Sequence, residues 1–387
     1  MKRKLIKIMI FILIVALLVG VMTYYLNWKH IQQYGHHHNF LKSKENHQAV
    51  QVGSYKTVID EKNVRYKAID AYLKKQKFNG DIAIYYQGKL VMDKGYGYQD
   101  FINRKKTNPN SMYLIGSAQK FMTGMMLKKL ETEGKLNIND EVTQYLPWFQ
   151  TNEPLILRDF MLHQSGIQMF RPKTNIHSID GAVHMLQEQG LQPNMFRKHQ
   201  YNDANYIVLA RVVEAVTKMS YADYFNQNFA QPYELNQTAF YNNTAYKPYM
   251  AKGYNELKIP ELPAYMDQYY GAGNLYMAPR DMGKFVLALQ NYKMLNENAT
   301  NQLLHEINTK EFPHAYRYGF YSYGQSARAN GIFYGQQFTC YFNKDYILVM
   351  GTNYQKPVGK NETFMKKIFM DYLKQPDLTK IKKQTVE

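Results

Sequence analysis

The chain has 387 residues, enough for one large domain or two modest ones with a sizeable core. Lysine and arginine number 48 against 31 acidic residues, a formal charge of +17 that draws the chain to polyanions. The single cysteine, Cys340, excludes an intramolecular disulfide framework, and its apolar-aromatic surroundings suit a core strand.

Lys2, Arg3, Lys4 and Lys7 precede an apolar run from Ile8 to Met22, which Tyr24, Tyr25 and Trp28 follow. Cations, then an apolar stretch, then interfacial aromatics predict a signal anchor over residues 1–28 with its positive end cytoplasmic. No small-x-small site follows, so secretion after cleavage is the second reading. A chain on the outer face of a membrane, associated with the cell wall, meets anionic wall polymers and lipids, and no nucleic-acid partner is expected. Residues 29–55 read as a polar linker. Its His30, His36, His37, His38 and His47 have no carboxylate or cysteine at ligand spacing, so no metal site is expected.

The remaining elements are expected within a catalytic domain over residues 56–375, ahead of a basic tail at 376–387. Apolar spacing predicts a helix over Val58 to Leu73. Ile82 to Tyr86 and Leu90 to Met92, split by Gln87-Gly88-Lys89, predict a hairpin. A strand end at Tyr113 to Ile115 and a turn at Gly116 lead to a helix opened by Ser117, whose broad apolar face predicts burial. Gly134 stops it, with Lys128 and Lys129 in the last turns. About residues 137–260 read as a mostly helical insertion, with Asn205 to Thr217 its clearest helix. Asp281 to Leu289 predicts another. Tyr318 to Tyr323, Ile332 to Phe342 and Tyr346 to Thr352 read as strands, and Lys360 to Leu373 as a closing helix. Strands at both ends with helices between them predict an α/β (α+β) fold, one antiparallel sheet completed by both termini.

Ser117 and Lys120 stand three residues apart and so share one face of that helix. A serine hydroxyl needs a base within hydrogen-bond reach, and a lysine can serve if its pKa is lowered. About one Ser-x-x-Lys arises by chance in a chain this rich in lysine, so the pair needs company.

That company is present. Gly116-Ser117-Ala118-Gln119-Lys120, the stretch Leu157-Arg158-Asp159-Phe160-Met161-Leu162-His163-Gln164-Ser165-Gly166-Ile167, then Tyr201-Asn202-Asp203, and Gly271-Ala272-Gly273-Asn274-Leu275 with Pro279-Arg280-Asp281 occur in order. From about Phe78 to Asn353 the chain resembles the serine β-lactamase and penicillin-binding-protein superfamily, in the branch with class C β-lactamases, D-aminopeptidases and esterases. The resemblance implies a β-lactamase/transpeptidase-like fold and an acyl-enzyme on Ser117, without a cofactor or metal. It further implies Lys120 as base, Tyr201 as proton relay to the leaving oxygen, and the backbone N–H groups of Ser117 and Ile332 as oxyanion hole. His163 is implied to be structural.

The chain departs from the branch at two places. Where relatives carry a cation-Thr-Gly or His-x-Gly on the strand beside the serine, this sequence reads Ala329-Asn330-Gly331. Asn330 and Gly331 are expected to line the substrate, while the cation that holds a peptide or β-lactam carboxylate is missing, unless Arg328 points inward. Asp203 replaces the motif's asparagine, and it either pairs with Lys120 or holds a substrate ammonium. A lost carboxylate holder and a gained ammonium holder together suggest a D-alanyl ester on teichoic acid as substrate. A D,D-carboxypeptidase or low-affinity penicillin-binding protein, acting on peptidoglycan and reacting slowly with β-lactams, is the rival enzyme. A non-catalytic teichoic acid or wall-binding protein is the rival without chemistry.

Overall fold

The computed structural model describes residues 54–354 and 360–377, together with Met22 and Val52. All of the expected signal anchor but Met22, all of the linker but Val52, Ser54 and Tyr55, and nearly all of the basic tail lie outside the described residues. Among the described residues, no helix is long and apolar enough to cross a membrane.

One eight-stranded sheet organises the domain, and every pairing in it is antiparallel. In chain order its strands are β1 (Val58–Ile59), β2 (Gly80–Tyr86), β3 (Lys89–Tyr96), β4 (Tyr316–Arg317), β5 (Phe320–Ser322), β6 (Ser326–Phe333), β7 (Gln336–Asn343) and β8 (Tyr346–Thr352). Their order across the sheet is β1-β3-β2-β8-β7-β6-β5-β4. The two ends of the chain meet where β2 pairs with β8, Ile84 opposite Leu348, as the sequence pattern predicts.

Side chains alternate across a strand, and here both faces are covered, which explains the continuous apolar runs. Ile82, Ile84, Leu348 and Met350 pack on one face against helix α1 (Val64–Lys75) and the closing segment through Phe364, Met365 and Ile368. Ala83, Tyr85, Ile347 and Val349 face the opposite way, into the larger core with Phe121, Phe285 and Cys340. Burial pushes the Cys340 thiol far above its usual pKa, so it is a core residue and not a nucleophile.

The second face receives α2 (Gln119–Thr132), in which Phe121, Met122, Met125, Met126, Leu127 and Leu130 are all buried. A helix apolar nearly all round has no solvent face and belongs at the centre of a domain. Each of those side chains removes enough surface from water to be worth roughly 1.5–3 kcal/mol. The helix ends at Gly134, whose φ of +68° suits a residue without Cβ. The insertion supplies α3 (Leu157–Met161), α4 (Ile179–Gln189), α5 (Asp203–Thr217) and α6 (Tyr221–Phe225). After it come α7 (Pro279–Gln290), α8 (Glu297–His305) and α9 (Lys360–Lys367), the last continuing as a wider turn over Ile368–Tyr372.

Three expectations are corrected. Val58 and Ile59 do not begin the first helix; they pair with Met92 and Asp93 on β3, and Asn63 caps the helix by accepting from the Arg65 N–H. Ile332 to Phe342 is not one strand but the two arms of a hairpin, turned at Tyr334-Gly335 with φ of +43° and +68°. Two positive φ values mark a tight hairpin turn, and tyrosine in place of asparagine hid it. Helix α8, capped by Asn296, falls in a stretch with no assigned element.

Candidate active site

The site begins with a backbone contact that only glycine permits. A Cβ on Gly331 would lie 2.0 Å from the Ile115 carbonyl oxygen and 2.6 Å from the Ser117 nitrogen. A Cβ on Gly116, at φ +52°, would meet the Ile332 nitrogen at 3.2 Å. The turn Gly116–Ala118 therefore docks directly on β6. The edge is open for it, because β5 pairs with β6 only at Ala327 and Arg328. Ser117 sits in this turn, whose backbone lies against that of Gly331 and Ile332.

Lys120 follows one turn later in α2 and is fully buried. Its Nζ lies 2.9 Å from Ser117 Oγ, 2.6 Å from Asp203 Oδ1 and 3.4 Å from the Ala272 carbonyl oxygen. It also stands 5.0 Å from the centre of the Tyr201 ring. Burial pulls the lysine pKa down, but the Asp203 carboxylate and Tyr201 outweigh it and hold the group above its ordinary value. At rest Lys120 is an ammonium that donates to Ser117, and it is not a free base. Of the two readings of Asp203, the pairing with Lys120 is the one the geometry shows. One third of the Asp203 side chain remains exposed, so the carboxylate is also accessible from the pocket.

Asp203 is the first residue of α5, where the helix N-terminus favours an anion. Asn202 caps that helix by accepting from Ala204 N–H. The same side chain accepts from Phe170 N–H and donates to the carbonyls of Ile167 and Gln168. Tyr201, just before the cap, is 41% exposed and lies on His163 with ring centres 4.3 Å apart.

His163 is buried, and its Nδ1 accepts from Asn202 N–H and the Asn205 amide. That leaves the proton on Nε2, which donates to Tyr316 Oη at 3.0 Å. Burial, Lys120 and His199 hold its pKa well below the usual value. It is a neutral wedge under Tyr201, not a base for Ser117.

On β6 the alternation of side chains separates the expected contacts. Ala329 and Gly331 face α2, and Ala329 is buried in the core there. Asn330 points across the pleat, and its Oδ1 accepts from Thr339 Oγ1 at 2.7 Å and from Gln337 at 3.4 Å. Of the expected substrate contacts, Asn330 is thus tied into the sheet through its oxygen. Arg328 does not replace the missing cation: it pairs with Glu362 on α9 at 2.6 Å and lies over Tyr321. The alternation that puts Ala329 towards α2 sends its neighbour to the other face.

A family model described as Beta-lactamase matches residues 66–366. The chain belongs to the beta-lactamase family. A Staphylococcus aureus protein called teichoic acid D-alanine hydrolase is 49% identical over 333 residues, 85% of this chain and 83% of its own. The crystal structure of FmtA from Staphylococcus aureus matches with a TM-score of 0.83 at 48% identity, covering 87% of this chain and 94% of that one. A class C beta-lactamase shares the fold, with a TM-score of 0.68 at 16% identity over 80% of this chain and 97% of its own.

Within this beta-lactamase fold, several positioning residues carry no signal of their own in the sequence. Gln119 is buried, donating to Asn274 Oδ1 and accepting from Leu275 N–H. Thr123 Oγ1 donates to the Gly271 carbonyl at 2.8 Å. Together they fasten the 271–275 loop to α2 and set the Ala272 carbonyl beside Lys120. Gly271 has φ +84°, and a Cβ there would strike Ala210 and the Tyr206 carbonyl. An aromatic row, Phe170 on Tyr269 on Phe333, walls the pocket next to Ile332.

Proposed function

We propose that this chain is a serine esterase that removes D-alanine from teichoic acids at the outer face of the cell membrane, through an acyl-enzyme on Ser117. One observation carries the reading: Ser117, Lys120 and Asp203 form a single hydrogen-bonded line, and β6 beside it presents no carboxylate-holding cation. The Staphylococcus aureus relative called teichoic acid D-alanine hydrolase supports the substrate.

Ser117 Oγ attacks the ester carbonyl carbon. Its proton passes to Lys120, which hands one of its own to Asp203, so Lys120 relays a proton and remains an ammonium. The oxyanion is held by the N–H groups of Ser117 and Ile332, each such donor being worth about 10²–10³ in rate. As the ester C–O bond breaks, Tyr201 protonates the leaving polyol oxygen and is reprotonated from Lys120. Asp203 returns its proton to the relay. Water then attacks the acyl carbon along the same path and D-alanine leaves. The D-alanyl ammonium finds a partner in the exposed part of Asp203.

The test is D-alanine release from isolated teichoic acid, compared with release from a pentapeptide ending in D-Ala-D-Ala. The ester is expected to turn over faster; faster turnover of the peptide would establish the carboxypeptidase reading instead. Ser117→Ala is expected to abolish release while leaving polymer binding intact. Retained hydrolysis in that variant would remove Ser117 from the chemistry.

A further inference from the structure

Two stretches of the insertion, residues 166–173 and 190–202, meet at Asn202 beside Asp203. Asn202 stitches them together, holding Phe170 N–H on one side while capping α5 beside Asp203 on the other. Gln192 adds a second stitch, donating to the Ile167 carbonyl and to Gln200. Arg171 and Lys173 follow Phe170, the outer ring of the pocket's aromatic wall. Arg197 and Lys198 precede Tyr201 by four and three residues, within about 14 Å of chain at full extension.

All four cations are exposed, and among the described residues none lies within ion-pair distance of a carboxylate. The carboxylates nearby are engaged: Asp203 holds Lys120, and Asp267 lies 3.4 Å from His177. Asp159, which Arg197 influences at longer range, is buried in its helix cap and accepts from Ile156 N–H. Arg197 rests instead over Phe196, its guanidinium 4.9 Å from the ring centre. Four cations without an ion-pair partner among the described residues, on loops pinned by part-buried hydrogen bonds, form a positive field, which focuses anions at a cleft mouth.

We infer that Arg171, Lys173, Arg197 and Lys198 form a phosphodiester-holding collar that makes this site selective for a polyol-phosphate polymer over small esters. The inference rests on the esterase reading above and adds the recognition of the backbone. A D-alanylated polyol phosphate carries an ammonium at the acyl group and phosphates on either side of it. The pocket presents the complementary order, the Asp203 carboxylate inside and the cations outside. Arginine suits this role because its planar fork donates to phosphate oxygens in pairs.

The experiment uses the full-length protein and a variant with Arg171→Gln, Lys173→Gln, Arg197→Gln and Lys198→Gln. A control carries Lys62→Gln, Arg65→Gln, Lys67→Gln and Lys75→Gln, exposed cations on and just before α1. Hydrolysis of D-alanylated teichoic acid is compared with hydrolysis of phosphate-free D-alanyl glycerol, from low to high salt. In the collar variant the polymer-to-small-ester ratio of kcat/KM is expected to fall on the order of tenfold at low ionic strength, carried in KM. The salt dependence should flatten, and the control should keep the wild-type ratio. An unchanged ratio, or an equal fall in the control, would overturn the collar.

Binding of D-alanine-free polyglycerol phosphate separates this outcome from failure of the esterase reading. Wild-type protein that binds this polymer through the collar yet releases no D-alanine would refute the esterase and keep the collar. Loss of binding to phosphatidylglycerol vesicles with polymer binding retained would mark the four residues as a membrane contact and overturn the proposal.

Discussion

Asp203→Asn isolates the one charge that sets the protonation of Lys120. The pair is asymmetric, with a fully buried ammonium and a carboxylate one third exposed, 2.6 Å apart. Their attraction is about 6 kcal/mol at an effective dielectric near 20, before desolvation of the lysine and solvent screening at the aspartate take back more than half. What remains favours the ammonium form and, with Tyr201, holds the Lys120 pKa above its ordinary value. With asparagine, Tyr201 alone is left to oppose burial at the lysine, and its pKa falls. In the wild type the raised lysine pKa keeps the ammonium–carboxylate pair intact into mildly alkaline solution, so kcat is expected to be level there. In the variant the competent species is neutral Lys120, whose fraction grows with pH. At pH 7 the variant should lose about 10²–10⁴-fold in kcat, the usual size of a proton-transfer contribution. Its kcat should then climb through the alkaline range where the wild type is flat. The assay is release of D-alanine from an aminoacyl ester across pH 5–10. A variant whose profile has the wild-type shape, at whatever rate, would refute the relay through Asp203.

Four further outcomes are expected. Arg328→Ala should leave both ester and peptide kinetics unchanged and lower stability by about 1 kcal/mol or less, measured by urea denaturation, because its partner is Glu362 on the far face. Gly331→Ala should reduce kcat by at least about 10²-fold in a steady-state assay, since the new methyl displaces the turn carrying Ser117 and its oxyanion donor. His163→Ala should cost about 2–4 kcal/mol by orphaning buried partners, and the lower kcat should show no added inflection between pH 5 and 8, because the wild-type imidazole is neutral there. Asp81 and Asp93 are buried together; burial raises both, Asp93 to about 7 while Arg280 opposes the rise. Their folded pKa values exceed the unfolded ones, so stability from this pair is present below about pH 4 and is lost as pH rises to 7. Asp81→Asn should flatten that fall and make the protein more stable than wild type at pH 8 in denaturant titrations.

The sequence made the sheet and its central helix legible because both leave periodic traces: continuous apolar strands, and a helix apolar on every side. The nucleophile could be read only in company, since Ser117 and Lys120 alone are no more than chance. What stayed hidden is what depends on side-chain direction. The alternation at Arg328-Ala329-Asn330 turns Arg328 and Asn330 to one face and Ala329 to the other, and no composition or spacing reveals which face looks inward. Asp203 had two readings because a carboxylate at that position is compatible with either partner, and only the 2.6 Å contact separates them. The hairpin at Tyr334-Gly335 escaped because its positive φ values sit on a tyrosine, where asparagine would have announced the turn.

The seam between β2 and β8 joins Asp81 to Gly351, roughly 270 residues later. A chain made from its amino terminus must therefore carry its first hairpin unpaired along one edge until nearly the whole sequence exists. Closing so long a loop is slow, though its entropy grows only logarithmically with length. Ser117 is synthesised early, yet Gly331 and Ile332, on which its turn rests, arrive in the last sixth of the chain. On the proposed mechanism Ser117 has no oxyanion site while the protein is incomplete, and chains truncated before β6 are expected to be inactive. Activity is expected only once the carboxyl-terminal strands have paired beside the first hairpin.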